Sequence, residues 1–250
     1  MRINDGLLLH GKPITVPGVG KIHSPLLDDI FKDEQSFYEY AFARAIIGGT
    51  KDDLKKLIDS FGIRSEYEDM SDLAFDEASK FCLIWHSQIL RKFLADGLKL
   101  FCEDKVGISE NPGCFIFVSE DDKITGVVDD SNYKEFEETL LSTLSPGKET
   151  KSDLKFANKA AEDLWEQQNK LEAENPAGDP EDFTLTNMIS KLSCGTTGYT
   201  LFNIYKLTVY QLLSLFEAYS QHRTAGVAER AYSHWGGDDF DPLAWMHHKE

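Results

Sequence analysis

The sequence predicts an α+β fold that is mainly α-helical, with two small β-hairpin elements and an all-helical C-terminal part. Three observations carry this. Over most of the chain, apolar residues recur at steps of three and four, as on the buried face of a helix. Two stretches, within residues 7–22 and 114–128, read instead as short apolar strands parted by turn residues. Beyond residue 183 only helical patterns remain.

The elements follow in order. Leu7-Leu8-Leu9, the turn signal His10-Gly11, Ile14-Thr15-Val16, Pro17-Gly18 and Val19 to Ile22 read as short strands. Ser24-Pro25 predicts a helix start: serine accepts from free first-turn amides, and proline there loses no needed donor. Asp28, Asp29, Asp33 and Glu34 suit its early turns. Phe37, Tyr40, Ala41 and Arg44 to Ile47 carry it to a stop at Gly48-Gly49. A second helix starts at Thr50, with Asp53 at the capping-box position, and runs to about Phe61-Gly62. Between Ser71 and Glu103 one buried central helix is expected. Ala78, Cys82, Trp85, Ile89 and Phe93 line one face of it, and Phe81, Ile84, Leu90, Leu94 and Leu98 a second. Cys114 to Val118, a polar turn at 119–122 and Ile124 to Val128 form a hairpin. Asn132 and Glu135 have capping-box spacing before a helix through Leu144, stopped by Pro146-Gly147.

Residues 1–150 thus form a helical domain with N-terminal strands and a hairpin near 114–128. Residues 151–182 change character: Lys155 to Asn175 favours helix but is sparsely apolar, and an acidic Pro/Gly linker follows. Residues 183–250 form a helical C-terminal domain. Phe183 to Leu192 is a short helix. In Leu207 to Leu212, Thr208 and Gln211 have capping-box spacing while Leu207 and Leu212 hold the hydrophobic-staple positions. The helix that follows places Leu212, Leu215, Phe216 and Tyr219 on one face, and Gln221-His222-Arg223-Thr224 is expected to end it. A last segment carries Ala228, Ala231, Trp235, Phe240 and Trp245.

Composition excludes whole classes. The 250 residues hold 26 Lys or Arg against 43 Asp or Glu, a net charge of −17. A field of that sign repels nucleic acid and anionic membrane surfaces, so neither is an expected partner. The 41% hydrophobic content, with 16 Phe and 9 Tyr, is too high for a disordered chain. Residues 1–6 show no signal-peptide run, and no stretch reaches the ~18 apolar residues of a membrane span. Cys82, Cys102, Cys114 and Cys194 are scattered, without a disulfide framework. The apolar neighbours of the first three mark them as buried small hydrophobes. A cytoplasmic protein is expected.

No catalytic fingerprint emerges, so no enzyme and no cofactor is predicted. Pro17-Gly18-Val19-Gly20-Lys21 has Thr15 and Ile22 where a phosphate loop needs Gly and Ser or Thr, which leaves a Pro-Gly turn between strands. His234, Asp238, Asp239, Asp241, His247 and His248 gather near the C-terminus without HxxxH or HExxH spacing, and the reading is no metal site. No GxSxG elbow is present. His86, on an apolar helix, reads as a satisfied core or boundary histidine. The aromatic stretch 199–245 says more: it reads either as a small helical core or as an apolar groove that receives a partner helix, since aromatic anchors dominate such interfaces.

Three stretches carry a resemblance. They are Leu7-Leu-Leu-His-Gly-Lys-Pro-Ile14 with Ser24-Pro-Leu-Leu-Asp-Asp-Ile30, then Thr184-Leu-Thr-Asn-Met-Ile189, then Tyr199 to Leu213 with the Trp235-Gly-Gly-Asp-Asp-Phe240 tail. Together they resemble tail-assembly proteins of long-tailed bacteriophages of Gram-positive bacteria. The resemblance implies a non-enzymatic chaperone, in the host cytoplasm, that keeps the helical tape-measure protein soluble during tail assembly. The surface expected for that partner comprises Leu212, Phe216, Tyr219, Trp235, Phe240 and Trp245. Two other readings stay open: a tail completion or connector component of the virion, and a phage protein that binds a host defence protein.

Overall fold

The computed structural model describes residues 5–145, 184–196 and 198–235. They form a mixed α+β, mainly helical structure with two small antiparallel sheets. The predicted helix and linker at 151–182 lie outside the described residues.

The chain opens with a helix where strands were expected. Leu7-Leu8-Leu9 belongs to α1 (Asp5–Leu9). The apolar run suits either state, and its ending decides. Gly11 takes φ +70°, its amide donates to Leu8 O at 2.9 Å, and Lys12 N donates to Leu7 O at 2.8 Å. That pair is a Schellman close, which needs a left-handed residue after the helix. The hairpin of β1 (Ile14–Val16) and β2 (Gly20–Ile22) then forms as predicted around Pro17-Gly18, with Gly18 at φ +74°.

Ser24 caps a helix, but not the expected one. The next helix, α2 (Leu27–Ile30), starts at Leu26 without a side-chain cap. The buried Ser24 Oγ accepts instead from Tyr210 N at 2.9 Å, and Pro25 O accepts from Val209 N at 2.9 Å. Asp33 caps α3 (Glu34–Gly48). Thr50 and Asp53 make the full capping box of α4 (Lys51–Ser60). A 3₁₀ turn follows at Ile63–Tyr67.

The long helix expected between Ser71 and Glu103 is three helices: α5 (Asp72–Glu77), α6 (Lys80–His86) and α7 (Gln88–Leu98). Each begins at a serine. Ser71, Ser79 and Ser87 accept from the amides of Ala74, Cys82 and Leu90 at 3.2, 2.9 and 3.1 Å. Ala78 and Ser87 take extended ψ angles of 145° and 123°, and each breaks the helical ladder. Apolar spacing runs on across both breaks, so periodicity alone misses them.

The second sheet is a meander of β3 (Lys105–Glu110), β4 (Gly113–Val118) and β5 (Ile124–Val128), of which only β4 and β5 were expected. Phe115, Phe117 and Val128 are buried on one face of it. There Phe115 meets Phe81 of α6 at 6.2 Å, and Phe117 meets Phe136 of α8 (Tyr133–Leu144) at 5.8 Å. Asn132 starts α8 without capping it. Its side chain closes the preceding turn, accepting from Asp129 N and donating to Val127 O at 2.9 and 2.8 Å. The two sheets touch where Val127 N donates to Gly18 O at 2.8 Å. A methyl on Gly126 would fall 2.0 Å from Val19 O.

From residue 184 on lie α9 (Leu185–Gly195), capped by Thr184, a 3₁₀ turn at Ile204–Lys206, and α10 (Val209–Trp235). The predicted box is present: Thr208 N donates to Gln211 Oε1 at 2.8 Å and Gln211 N to Thr208 Oγ1 at 3.2 Å. The predicted stop at 221–224 is not. Those four polar residues include no Gly or Pro, and α10 runs through them to Trp235.

Two compact units result. One comprises Met1–Pro146 with Tyr205–Gln211, and the other Gly147–Ile204 with Leu212–Glu250. In the first, Leu8, Ile14 and Tyr210 form a buried cluster. The centre of that unit is the α3–α7 pair, where a methyl on Gly97 would lie 2.3 Å from Ala43 Cβ.

Candidate functional site

The predicted partner-binding residues fare unequally. On α10, Leu212, Phe216 and Tyr219 follow at spacings of four and three, hence on one face. Leu212 is completely buried, whereas Phe216 and Tyr219 are half-buried. Arg223 donates to the Tyr219 hydroxyl at 2.9 Å. That hydroxyl lies where a methyl on Gly195 would meet it at 2.3 Å, which places Tyr219 against the end of α9. Trp235 is the last residue of α10, and its side chain lies outside the described residues. So do Phe240, Trp245 and the His/Asp group at 238–248, together with the side chain of His234. Among the described residues no group of three or more His, Cys, Asp or Glu could hold a metal.

A second aromatic surface, not anticipated from the sequence, lies wholly in the first unit. Phe31, just after α2, has Tyr205 at 5.8 Å and Phe37 at 5.7 Å, centroid to centroid. Phe37 in turn meets Tyr38 at 6.2 Å. One helical turn further along α3, Phe42 stacks on Phe93 of α7 at 4.6 Å and meets Phe61 at 5.1 Å. Tyr38 and Phe42 are four residues apart, so the exposed Tyr38 adjoins, along α3, the group that Phe42 forms against α7. None of these rings is fully buried: Tyr38 is 52% exposed, Phe61 47% and Phe37 39%. Fully burying a phenyl ring is worth about 1.5–3 kcal/mol, so each partly exposed ring forgoes a share of that. A contiguous band of such rings is the usual mark of an interaction surface.

Charge frames one end of the band. Asp28, Asp29, Asp33 and Glu34 are all exposed around Phe31 and the start of α3, where the cations are Lys32 and, next to Tyr205, Lys206. Among the described residues none of these six makes an ion pair. The amide of Ser36 donates to Asp33 Oδ1 at 2.7 Å and holds that carboxyl below its usual pKa, so it stays ionised. Helical periodicity marks Phe37 and Tyr38 only as helix positions. Their exposure depends on what packs over α3, which no local pattern records.

A third exposed feature is a turn in the second unit. Thr200 N donates to Asn203 Oδ1 at 2.7 Å and Asn203 Nδ2 to Gly198 O at 3.1 Å. This fixed turn holds Phe202 out at 95% exposure.

The remaining chemistry is structural. His86 Nε2 lies 2.8 Å from Asp69 Oδ1 while its ring stacks on Tyr67 at 5.1 Å, the satisfied boundary histidine expected. All four cysteines are free thiols. Cys102 and Cys114 are buried as expected, but Cys82 is exposed, because sequence neighbours on a helix such as the buried Phe81 and Leu83 point to other sides than it does. Burial raises the Cys102 thiol pKa and keeps that group protonated. No described helix is long and apolar enough to cross a membrane.

No curated protein and no solved structure matches the chain. Residues 175–250, which include α9 and α10, match the family described as the YomV second domain, and this likeness points to a phage-derived protein family.

Proposed function

We propose that this protein is a non-enzymatic assembly chaperone of a long-tailed phage, acting in the host cytoplasm. Its partner is a helical protein with an exposed apolar stripe, of the tape-measure type. The observation that carries the reading is the band of unburied rings on α3, α7 and the flanking turns of a protein with net charge −17. An extended amphipathic helix aggregates through its stripe unless something covers it, and aromatic rings are the most effective cover per side chain. The strong negative charge keeps such an adhesive protein dissolved and repels copies of itself. The YomV-type match at 175–250 supports a phage origin. The same surfaces on α10, through Phe216 and Tyr219, are available to the same partner.

Co-expression tests this. A tape-measure protein encoded beside this gene stays in the supernatant when made with the wild-type chain and pellets without it. Equal precipitation in both cases defeats the proposal. Mass spectrometry of purified particles distinguishes a chaperone, which is absent, from a completion or connector protein, which is present.

A further inference from the structure

We infer that the aromatic band of the first unit, rather than the α10 face, is the primary docking site, and that its occupant is an amphipathic helix with basic flanks. The inference rests on the chaperone reading only in taking the occupant to be a protein helix.

Shape and charge argue for it together. Phe31, Phe37 and Tyr38 follow the outer side of α3, and Phe42, stacked on Phe93 of α7 and against Phe61, widens the strip at its far end. The strip is backed by a close helix crossing, Gly97 on Ala43, which leaves no room for a side chain, so the rings stand on a rigid base. A rigid base matters because rings already held in place lose little entropy on binding. On α3 the rings run from Phe37 to Phe42, about 8 Å of rise at ~1.5 Å per residue, and Phe31 with Tyr205 at one end and Phe61 with Phe93 at the other lengthen the strip. The occupant is therefore a helix presenting apolar side chains at spacings of three and four.

Its flanks follow from the rim. Asp28, Asp29 and Glu34 are exposed and make no ion pair among the described residues, and Asp33 is held ionised by its own helix. Four carboxylates against Lys32 and Lys206 give that end a negative field, on a molecule already at −17. A helix with lysine or arginine beside its apolar stripe meets complementary charge there, and an acidic helix is repelled.

The test uses a fluorescein-labelled synthetic 18-residue helix, leucine and phenylalanine on one face and lysine on the other, with a glutamate-for-lysine counterpart. Binding to the full chain is followed by anisotropy. The lysine peptide binds at least tenfold tighter than its counterpart. F37A/Y38A weakens it at least tenfold, while Phe216→Ala leaves it within twofold. D28N/D29N/E34Q weakens it three- to tenfold and flattens its salt dependence. If circular dichroism shows F37A/Y38A to be unfolded, Tyr38→Lys at its exposed position carries the same expectation. Absence of lysine-peptide binding, or binding indifferent to the band substitutions, overturns the inference. So does loss of binding with Phe216→Ala, or a sedimenting dimer that F37A/Y38A dissolves, which makes a second copy the occupant. Peptide failure alongside successful co-expression defeats only this inference, whereas the converse defeats only the chaperone reading.

Discussion

The two sides of α3 differ in kind. Inward, Ala43 receives Gly97 so closely that no side chain fits between the backbones, and Tyr40, Ile46 and Ile47 are sealed from water. Outward, Phe37 and Tyr38 carry large rings that the fold leaves partly wet, while Phe42 lies at the flank, stacked on Phe93 of α7. One helix thus combines a side whose packing sets stability with a side whose exposure contributes little to it. The lesson is that stability and adhesion are separable here by substitution, position by position.

The largest effect is expected on the inner side. Gly97→Val would place side-chain atoms inside Ala43 and the Glu39 carbonyl, the latter only 2.6 Å from the new Cβ. It should cost about 3 kcal/mol or abolish cooperative unfolding, as overpacking of an unyielding backbone contact does. Thermal melting checks this, and a variant within about 0.5 kcal/mol of wild type would show the crossing to be looser than described.

The next effect lies where α3 ends. Lys80 Nζ donates to Ile47 O at 3.1 Å, to Gly49 O at 2.5 Å, and pairs with Glu137. Lys80→Met leaves those carbonyls and a half-buried carboxylate without their cation, at about 2 kcal/mol near neutrality. Burial raises the Glu137 pKa above 4.5, against the pull of Lys80. A raised carboxyl pKa adds stability below the unfolded value and loses it as pH rises through the folded one. The Lys80→Met deficit should therefore shrink at pH 4 relative to pH 7. Urea titrations at both values read it, and an unchanged deficit would remove Glu137 from the account.

Ser24→Ala should cost about 1 kcal/mol, the usual worth of a helix cap, although the helix it caps begins far along the chain. Smaller still is the outer side: Tyr38→Ser should change stability by under about 0.5 kcal/mol while weakening partner binding at least tenfold. A large melting shift with Tyr38→Ser would collapse the distinction between the two sides. The last effect appears only in acid. Hydrogen bonds from Thr50 lower the Asp53 pKa from 3.8 to about 2, so its stabilisation holds above the unfolded value and fades between those limits. The melting difference between wild type and Asp53→Asn should vanish as pH falls through that window.

Features decided within a few residues were legible in the sequence. Thr50 with Asp53 and Thr208 with Gln211 form the boxes their spacing foretold, and Pro17-Gly18 makes its turn. Where two local signals competed, the stronger pattern misled. The apolar periodicity of residues 78–98 masked the caps Ser79 and Ser87, although serine before an apolar run is itself a readable start signal. Features set by distant partners were not legible. Ser24 is a helix cap in either reading, yet only the fold reveals which amide it meets. Of the expected surface, Phe216 and Tyr219 stand partly open and Leu212 does not, because spacing gives the face of a helix but not the depth at which it packs. The band around Tyr38 was missed for the same reason.

The bond from Tyr210 N to Ser24 Oγ spans 186 positions, and it sits beside the cluster of Leu8, Ile14 and Tyr210. At ~5–20 residues per second, a ribosome needs about 10–40 s to supply the second partner after the first. For that interval the nascent first unit holds an open apolar notch where Tyr210 will sit. A fragment ending near residue 145 keeps that notch permanently, so the N-terminal unit is finished only once residues 205–211 have been made.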